Sequence, residues 1–235
     1  MKDFLYLALG DSIATGTLHH FARVTSYTEH LYHMLGRRDR RTRMVNLAQD
    51  GDTTRELLYK LGQGWYQSWV RRADLITLSI GGNNLMRAAS IPGFTSICVP
   101  RANAGVRAFC SDWEKIVAQL RSLNPNCVLV VMTVYDPYDR SQSLGGGYAA
   151  DRGLRTLAER YLGQINGTIE SQCQGRYLIA DIHSLFDRFS YGGMGRVASL
   201  YSSGLYILRN PHPTPYGHWL IARAHADVIE RQWET

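Results

Sequence analysis

Short apolar runs alternate along this chain with longer stretches in which apolar residues recur every three or four positions. The runs Phe4–Leu9, Met44–Ala48, Leu75–Ile80, Cys127–Val134 and Arg176–Ile182 are rich in Val, Ile and Leu, as strands covered on both faces should be. The helical period marks Thr25–Leu35, Thr54–Leu61, Ala104–Leu123 and Ala149–Cys173, and a last helix is predicted over Pro215–Trp233. Strand–helix alternation predicts an α/β fold, a parallel sheet with helices on both faces. Neither repeats nor linkers interrupt it, and residues 1–235 are expected to form one domain.

In such sheets ligands bind at the carboxyl ends of the strands, and the predicted ends carry polar or glycine-rich segments. The first strand stops at Gly10-Asp11-Ser12, the second runs into "NLAQDGDTT", the third ends in "SIGGNN" and the fourth in "TVYDPY". "NPHPTPYGH" leads into the last helix. Each candidate fits two roles. Ser12 suits a helix N-cap or a nucleophile. Gly51 suits a turn at positive φ or a close backbone N–H donor. Asn83 suits a turn or a side-chain donor to an oxyanion. His212, set between two prolines, suits a loop before an N-cap at Thr214 or a general base. His218, after Gly217, is expected to pack within the last helix. Together the set is the equipment of acyl transfer.

Composition narrows the setting. Hydrophobic residues make up 45% and charged residues 20%, as in globular proteins, and no apolar run approaches the roughly 20 residues of a membrane span. The segment Met1-Lys2-Asp3-Phe4 passes straight into the first strand, without room for a signal peptide. The chain as written reads as cytoplasmic, and a secreted protein trimmed of its leader would look the same. The net charge is +6, and almost all the positive charge is arginine, densest in "RRDRRTR", Arg37 to Arg43. That cluster suits an anionic surface or a solvated helix end. No recognised nucleic-acid module accompanies it, so nucleic acid is not an expected partner. The four cysteines form no CxxC pair, which argues against zinc. Cys127 opens an apolar strand and reads as core. Cys98 and Cys110 flank what reads as a short loop and would pair only in an oxidising compartment, so free thiols are expected.

At this point the residues resemble a known family, the SGNH or GDSL-type serine hydrolases. "GDSIATG" is similar to its first block, with Ser12 as nucleophile, and "NLAQDGDTT" to its second, with Gly51 as oxyanion donor. "GGNN" is similar to the third, with Asn83 as the other donor, and "HPTPYGH" to the last, with His212 as base. The "VMTVYDPY" strand resembles the bacterial branch that contains spore-germination lipases. The resemblance implies a flavodoxin-like three-layer α/β/α sandwich with a five-stranded parallel sheet. It implies ester hydrolysis through an acyl-enzyme by a monomer, without metal or cofactor.

Two positions depart from the family. Asn84 stands where Asp is usual. The family's acid, three or two residues before the histidine, is replaced by Arg209 or Asn210. Asn210 could orient the ring in its place, or a carboxylate could come from Asp136, Asp181 or Asp187. The segments Met86–Ala108 and Asp187–Leu208 are expected to flank the pocket. They bring Phe94, Phe109, Phe189, Tyr191, Met194, Tyr201 and Tyr206. These favour an acyl chain, and the arginine excess suits an anionic lipid surface. The alternatives are an acetyl-ester (carbohydrate) esterase and a catalytically weak relative that binds esters or lipids.

Overall fold

The computed structural model describes residues 3–19, 22–36, 41–88, 96–137, 152–198 and 211–234. In chain order the first half contains β1 (Phe4–Gly10), α1 (Ser12–Thr15), β2 (Thr17–His19), β3 (Ala22–Arg23), α2 (Tyr27–Leu35), β4 (Thr42–Asn46), α3 (Thr54–Leu61), α4 (Gly64–Arg72) and β5 (Leu75–Ser79). The second contains α5 (Gly82–Met86), α6 (Val99–Leu123), β6 (Val128–Met132), α7 (Arg152–Ser171), β7 (Leu178–Ala180), α8 (Ile182–Asp187), a 3-10 turn (Met194–Arg196) and α9 (Pro215–Glu234).

Five strands form one parallel sheet in the order β4-β1-β5-β6-β7. This is the flavodoxin-like order, which reverses direction between β1 and β5 and opens a crevice at their carboxyl ends. Strand alternation sorts the core. Leu7, Leu9, Ile76, Leu78, Leu129 and Val131 face one side, where they pack with Leu57, Phe109, Trp113 and Ile165 of α3, α6 and α7. Tyr6, Ala8, Leu75, Val130 and Met132 face the other, against Tyr27, Leu31, Ile221 and Ile229 of α2 and α9. Burial on both faces explains why these runs carry no polar stripe.

The structure corrects several expectations. Cys98 and Cys110 do not flank a loop: Cys98 precedes α6 and Cys110 lies within it. At 1.5 Å per residue a helix holds such a pair about 18 Å apart, far beyond disulfide reach. All four cysteines are free, and Cys127 is buried. The segment Met86–Ala108 is not all pocket wall, because α6 already begins at Val99, with Pro100 in its first turn. There proline removes no helical hydrogen bond. Phe109 is buried and stacked on Trp113 at 5.3 Å, and Met194 is buried in the opposite core. Neither flanks a pocket. Phe94, Tyr201 and Tyr206 lie outside the described residues, as do positions 37–40 of the arginine cluster. α2 ends at Leu35, Arg41 meets Asp3 at 3.8 Å and Arg43 sits in β4.

Candidate active site

β1 ends at Gly10, beside Ser79 at the end of β5. Gly10 has a φ of 130°, and a Cβ there would lie 1.9 Å from the Ser79 carbonyl oxygen, so only glycine lets the two strands close at this end. Asp11 then caps α1. Its carboxylate accepts from the Ile13 N–H at 3.1 Å and from Ser79 Oγ at 3.2 Å. Desolvation pushes this buried carboxyl up to about 7, against those hydrogen bonds. The N-cap role weighed for Ser12 therefore belongs to Asp11. Ser12 is the first helical residue, where a backbone N–H has no partner within the helix.

His212 returns across the fold from 200 residues away, and its Nε2 stands 2.8 Å from Ser12 Oγ. Three contacts hold its loop. The Tyr135 hydroxyl donates to the Pro211 carbonyl at 2.6 Å, Ala198 bridges Pro213, and the Thr214 N–H donates to the Val197 carbonyl at 3.0 Å. Thr214 Oγ1 accepts from the Gly217 N–H at 3.0 Å at the start of α9, as its expected capping role requires. His218 is buried, and its Nδ1 accepts from the Tyr27 N–H at 3.2 Å.

Gly51 sits at the tip of the loop after β4 with a φ of 82°, and a Cβ there would meet nothing within 4 Å. Backbone conformation, not crowding, selects glycine here. The loop is fastened at each side. Asn83 Nδ2 donates to the Asp52 carbonyl at 2.9 Å, Lys60 pairs with the Asp52 carboxylate, and Thr53 with Glu56 forms a capping box at the start of α3. An amide has two N–H donors, and one of Asn83's is engaged by this contact. Asn84 is buried, and it both accepts from the Thr54 N–H at 3.3 Å and donates to Thr54 Oγ1 at 2.9 Å. An aspartate could not donate, so the departure from the family pattern suits its surroundings.

The structure thus brings Ser12 and His212 into contact and joins Asn83 to the Gly51 loop. Asn210 and Arg209 lie outside the described residues. Asp181 caps α8, accepting from the Ser184 N–H at 3.0 Å and Thr133 Oγ1 at 3.1 Å; Asp136 is buried and Asp187 half-buried. One carboxylate escaped the sequence reading: Asp50, beside Gly51. It accepts hydrogen bonds from Thr15 and Thr17, on the segment that carries Ser12, and faces Arg23 at 3.9 Å. Burial would raise its carboxyl. The two threonines, Arg23 and the charge of His212 outweigh that and hold it below its ordinary value. The available signal was a carboxylate next to the block-two glycine, with threonines three and five residues after Ser12. Among the described residues no three His, Cys, Asp or Glu side chains gather as a metal site requires.

The sheet and its covering helices thus form a parallel α/β/α sandwich with the Ser12–His212 contact at its topological switch point. The chain belongs to the GDSL-like lipase/acylhydrolase family, whose sequence model matches residues 8–220. Bacillus subtilis (strain 168) YpmR is 29% identical over 93 residues, 40% of this chain. The match spans 36% of that protein's length. Similar solved structures include a lipase from goat rumen metagenome, with TM-score 0.70 and 16% identity over 96% of this chain and 97% of that one. Phospholipase A1 from Streptomyces albidoflavus NA297 gives 0.65 and 20% over 98% and 99%. A Clostridium thermocellum family 3 carbohydrate esterase gives 0.64 and 17% over 98% and 97%. At these identities the structures share the fold.

Proposed function

We propose that the protein is a serine esterase that cleaves carboxylic esters of acyl chains through an acyl-enzyme. The 2.8 Å contact between Ser12 Oγ and His212 Nε2, in a chain of the GDSL-like lipase/acylhydrolase family, carries this reading. His212 takes the Ser12 proton as Oγ attacks the ester carbonyl. The backbone N–H groups of Ser12 and Gly51 and the second amide N–H of Asn83 receive the oxyanion. His212 then protonates the leaving alcohol, and water, activated by the same imidazole, releases the acid. No step calls on a metal or cofactor. The substrate is a small ester or a lipid, and an anionic membrane surface is the partner that suits the charge of +6.

Acyl esters are supported by the lipase and phospholipase among similar structures. A second reading, acetyl esters of carbohydrates, is favoured by the similar carbohydrate esterase and by Phe109 and Met194 lying in the core. A panel of p-nitrophenyl esters of graded length decides between them. Turnover is expected to peak at about C6 to C12, since each buried methylene contributes about 0.8 kcal/mol. Fastest turnover on acetate, falling with length, would establish the second reading. Ser12→Ala and His212→Ala should each abolish hydrolysis with the fold intact, and a fluorophosphonate should label Ser12. A protein that binds esters but resists the label is a binder.

A further inference from the structure

From Arg188 to Ala226 the sequence holds four arginines and not one Asp or Glu. Two described parts of that stretch meet beside the loop of His212. The Arg196 carbonyl accepts from Thr214 Oγ1, the Val197 carbonyl from the Thr214 N–H, and Ala198 bridges Pro213. The turn after α8 is therefore joined to the loop that carries His212. Across this join the Phe189 ring meets Tyr216 edge-on at 6.5 Å, and Tyr216 stacks on Trp219 at 5.8 Å. Tyr191, Tyr216 and Trp219 are 75%, 46% and 41% exposed. Arg188 and Arg196, also exposed, make no ion pair among the described residues.

Single exposed aromatics are ordinary on a protein surface, but touching rings with exposed arginines nearby that make no ion pair among the described residues are not. Tyrosine and tryptophan combine an apolar body with a polar tip and settle at the headgroup level of a bilayer. Arginine near such a surface draws anionic lipids, which a carboxylate would repel. A neutral sugar would also stack on the rings, yet it gives no reason for a stretch without acids.

We propose that this face, formed by Phe189, Tyr191, Tyr216 and Trp219 with Arg188 and Arg196, docks the protein on an anionic lipid surface and sets the Ser12–His212 pair against it. The purpose of docking rests on the esterase reading, whereas the binding does not. Tyrosine and tryptophan rings enter the interface while the arginines hold lipid phosphates, and the loop of His212 is carried to the membrane plane with them.

The test is co-sedimentation of the Ser12→Ala protein with vesicles of phosphatidylglycerol and phosphatidylcholine in equal parts, and of phosphatidylcholine alone. Binding to the anionic vesicles is expected to exceed binding to the neutral ones and to weaken as salt rises. Tyr216→Ser/Trp219→Ser and Arg188→Glu/Arg196→Glu should each weaken it by about tenfold or more. In the parent enzyme the same pairs should leave turnover of a soluble p-nitrophenyl ester and the melting temperature near wild type. Failure to sediment with anionic vesicles at low salt overturns the proposal. So does equal binding to both vesicles, or variants that bind as the parent does. Retention on an insoluble polysaccharide through the same rings, without vesicle binding, overturns it in favour of a glycan. Vesicle binding by a protein that turns over no ester overturns only the hydrolase reading.

Discussion

Asp50 carries a negative charge whose field reaches His212. On the esterase reading, the imidazolium that would form as Ser12 attacks is stabilised by a carboxylate whose charge it feels, and Asp50 is one. Removing that charge disfavours the protonated ring, so the ring sheds its proton at lower pH. Asp50→Asn should therefore move the acid limb of the kcat/KM profile to lower pH, by roughly half a unit to one unit, and reduce kcat on the plateau. A limb that stays in place would confine Asp50 to fastening Thr15 and Thr17. Asn83 is a different case, because its amide both anchors the Gly51 loop and offers a second N–H. Asn83→Ala should lower kcat by about 100- to 1,000-fold, on the order of 3 kcal/mol, and change KM little. A loss confined to KM would make Asn83 a substrate-positioning residue.

Among the elements, α7 shows where the fold leaves room. Gly163 and Gly167 lie exposed inside it, and a Cβ at either would meet nothing within 4 Å. Alanine at each should stabilise the protein by about 0.5–1 kcal/mol, read as a rise in melting temperature. A fall would mean that the helix is packed there by something the contacts do not show. β1, β5 and β6 were legible in the sequence because burial on both faces leaves each an apolar run, whereas the half-exposed edge strand β4 was read two residues late, at Met44–Ala48 rather than Thr42–Asn46. α3 was legible to the residue. Its bounds coincide with a Thr53–Glu56 capping box and a change from loop to helical period. α4 was not, because of its nine residues only Tyr66 and Val70 are buried, too few to mark a period. The start of α6 was read at Ala104 rather than Val99, since Pro100 suits a loop as well as a first helical turn, and Phe109, inside the helix on either reading, faces the core and not a pocket. Ser12, Gly51, Asn83 and His212 were legible as motifs. Asp50 was not, because its place follows from the pairing of β1 with β4, which carries the loop after β4 to the start of α1.

Across the whole molecule, stability at low pH depends on histidines buried between α2 and α9. Burial lowers His218 to about 3 and His225 to about 4. His225 stacks on Tyr27 at 4.9 Å, and its Nε2 has no hydrogen-bond partner among the described residues. A base whose folded pKa is depressed leaves the unfolded chain holding more protons between the two values. Stability from each ring is thus present above about 6.5 and lost as pH falls. Asp11 acts in the opposite sense. Its folded pKa is raised to about 7, so it takes up its proton more readily in the folded state and offsets part of that loss. His225→Phe removes one of the two liabilities while keeping a ring against Tyr27. The loss of stability between pH 7 and pH 4.5 should shrink by about 2–3 kcal/mol relative to wild type, several degrees in melting temperature. An unchanged pH dependence would mean that His225 stays protonated or exposed in the folded protein.

The contact between Ser12 and His212 joins positions 200 residues apart. On a ribosome adding about 5–20 residues per second, roughly 10–40 s separate the synthesis of the two. Throughout that interval the nascent chain displays Ser12 without the histidine that the folded protein sets against it. Residues beyond His212 then supply α9, whose His218 accepts from the N–H that begins α2. The reactive centre is thereby completed only as the last helix docks. On the esterase reading, a chain cut short before α9 should be chemically silent however well its sheet has formed.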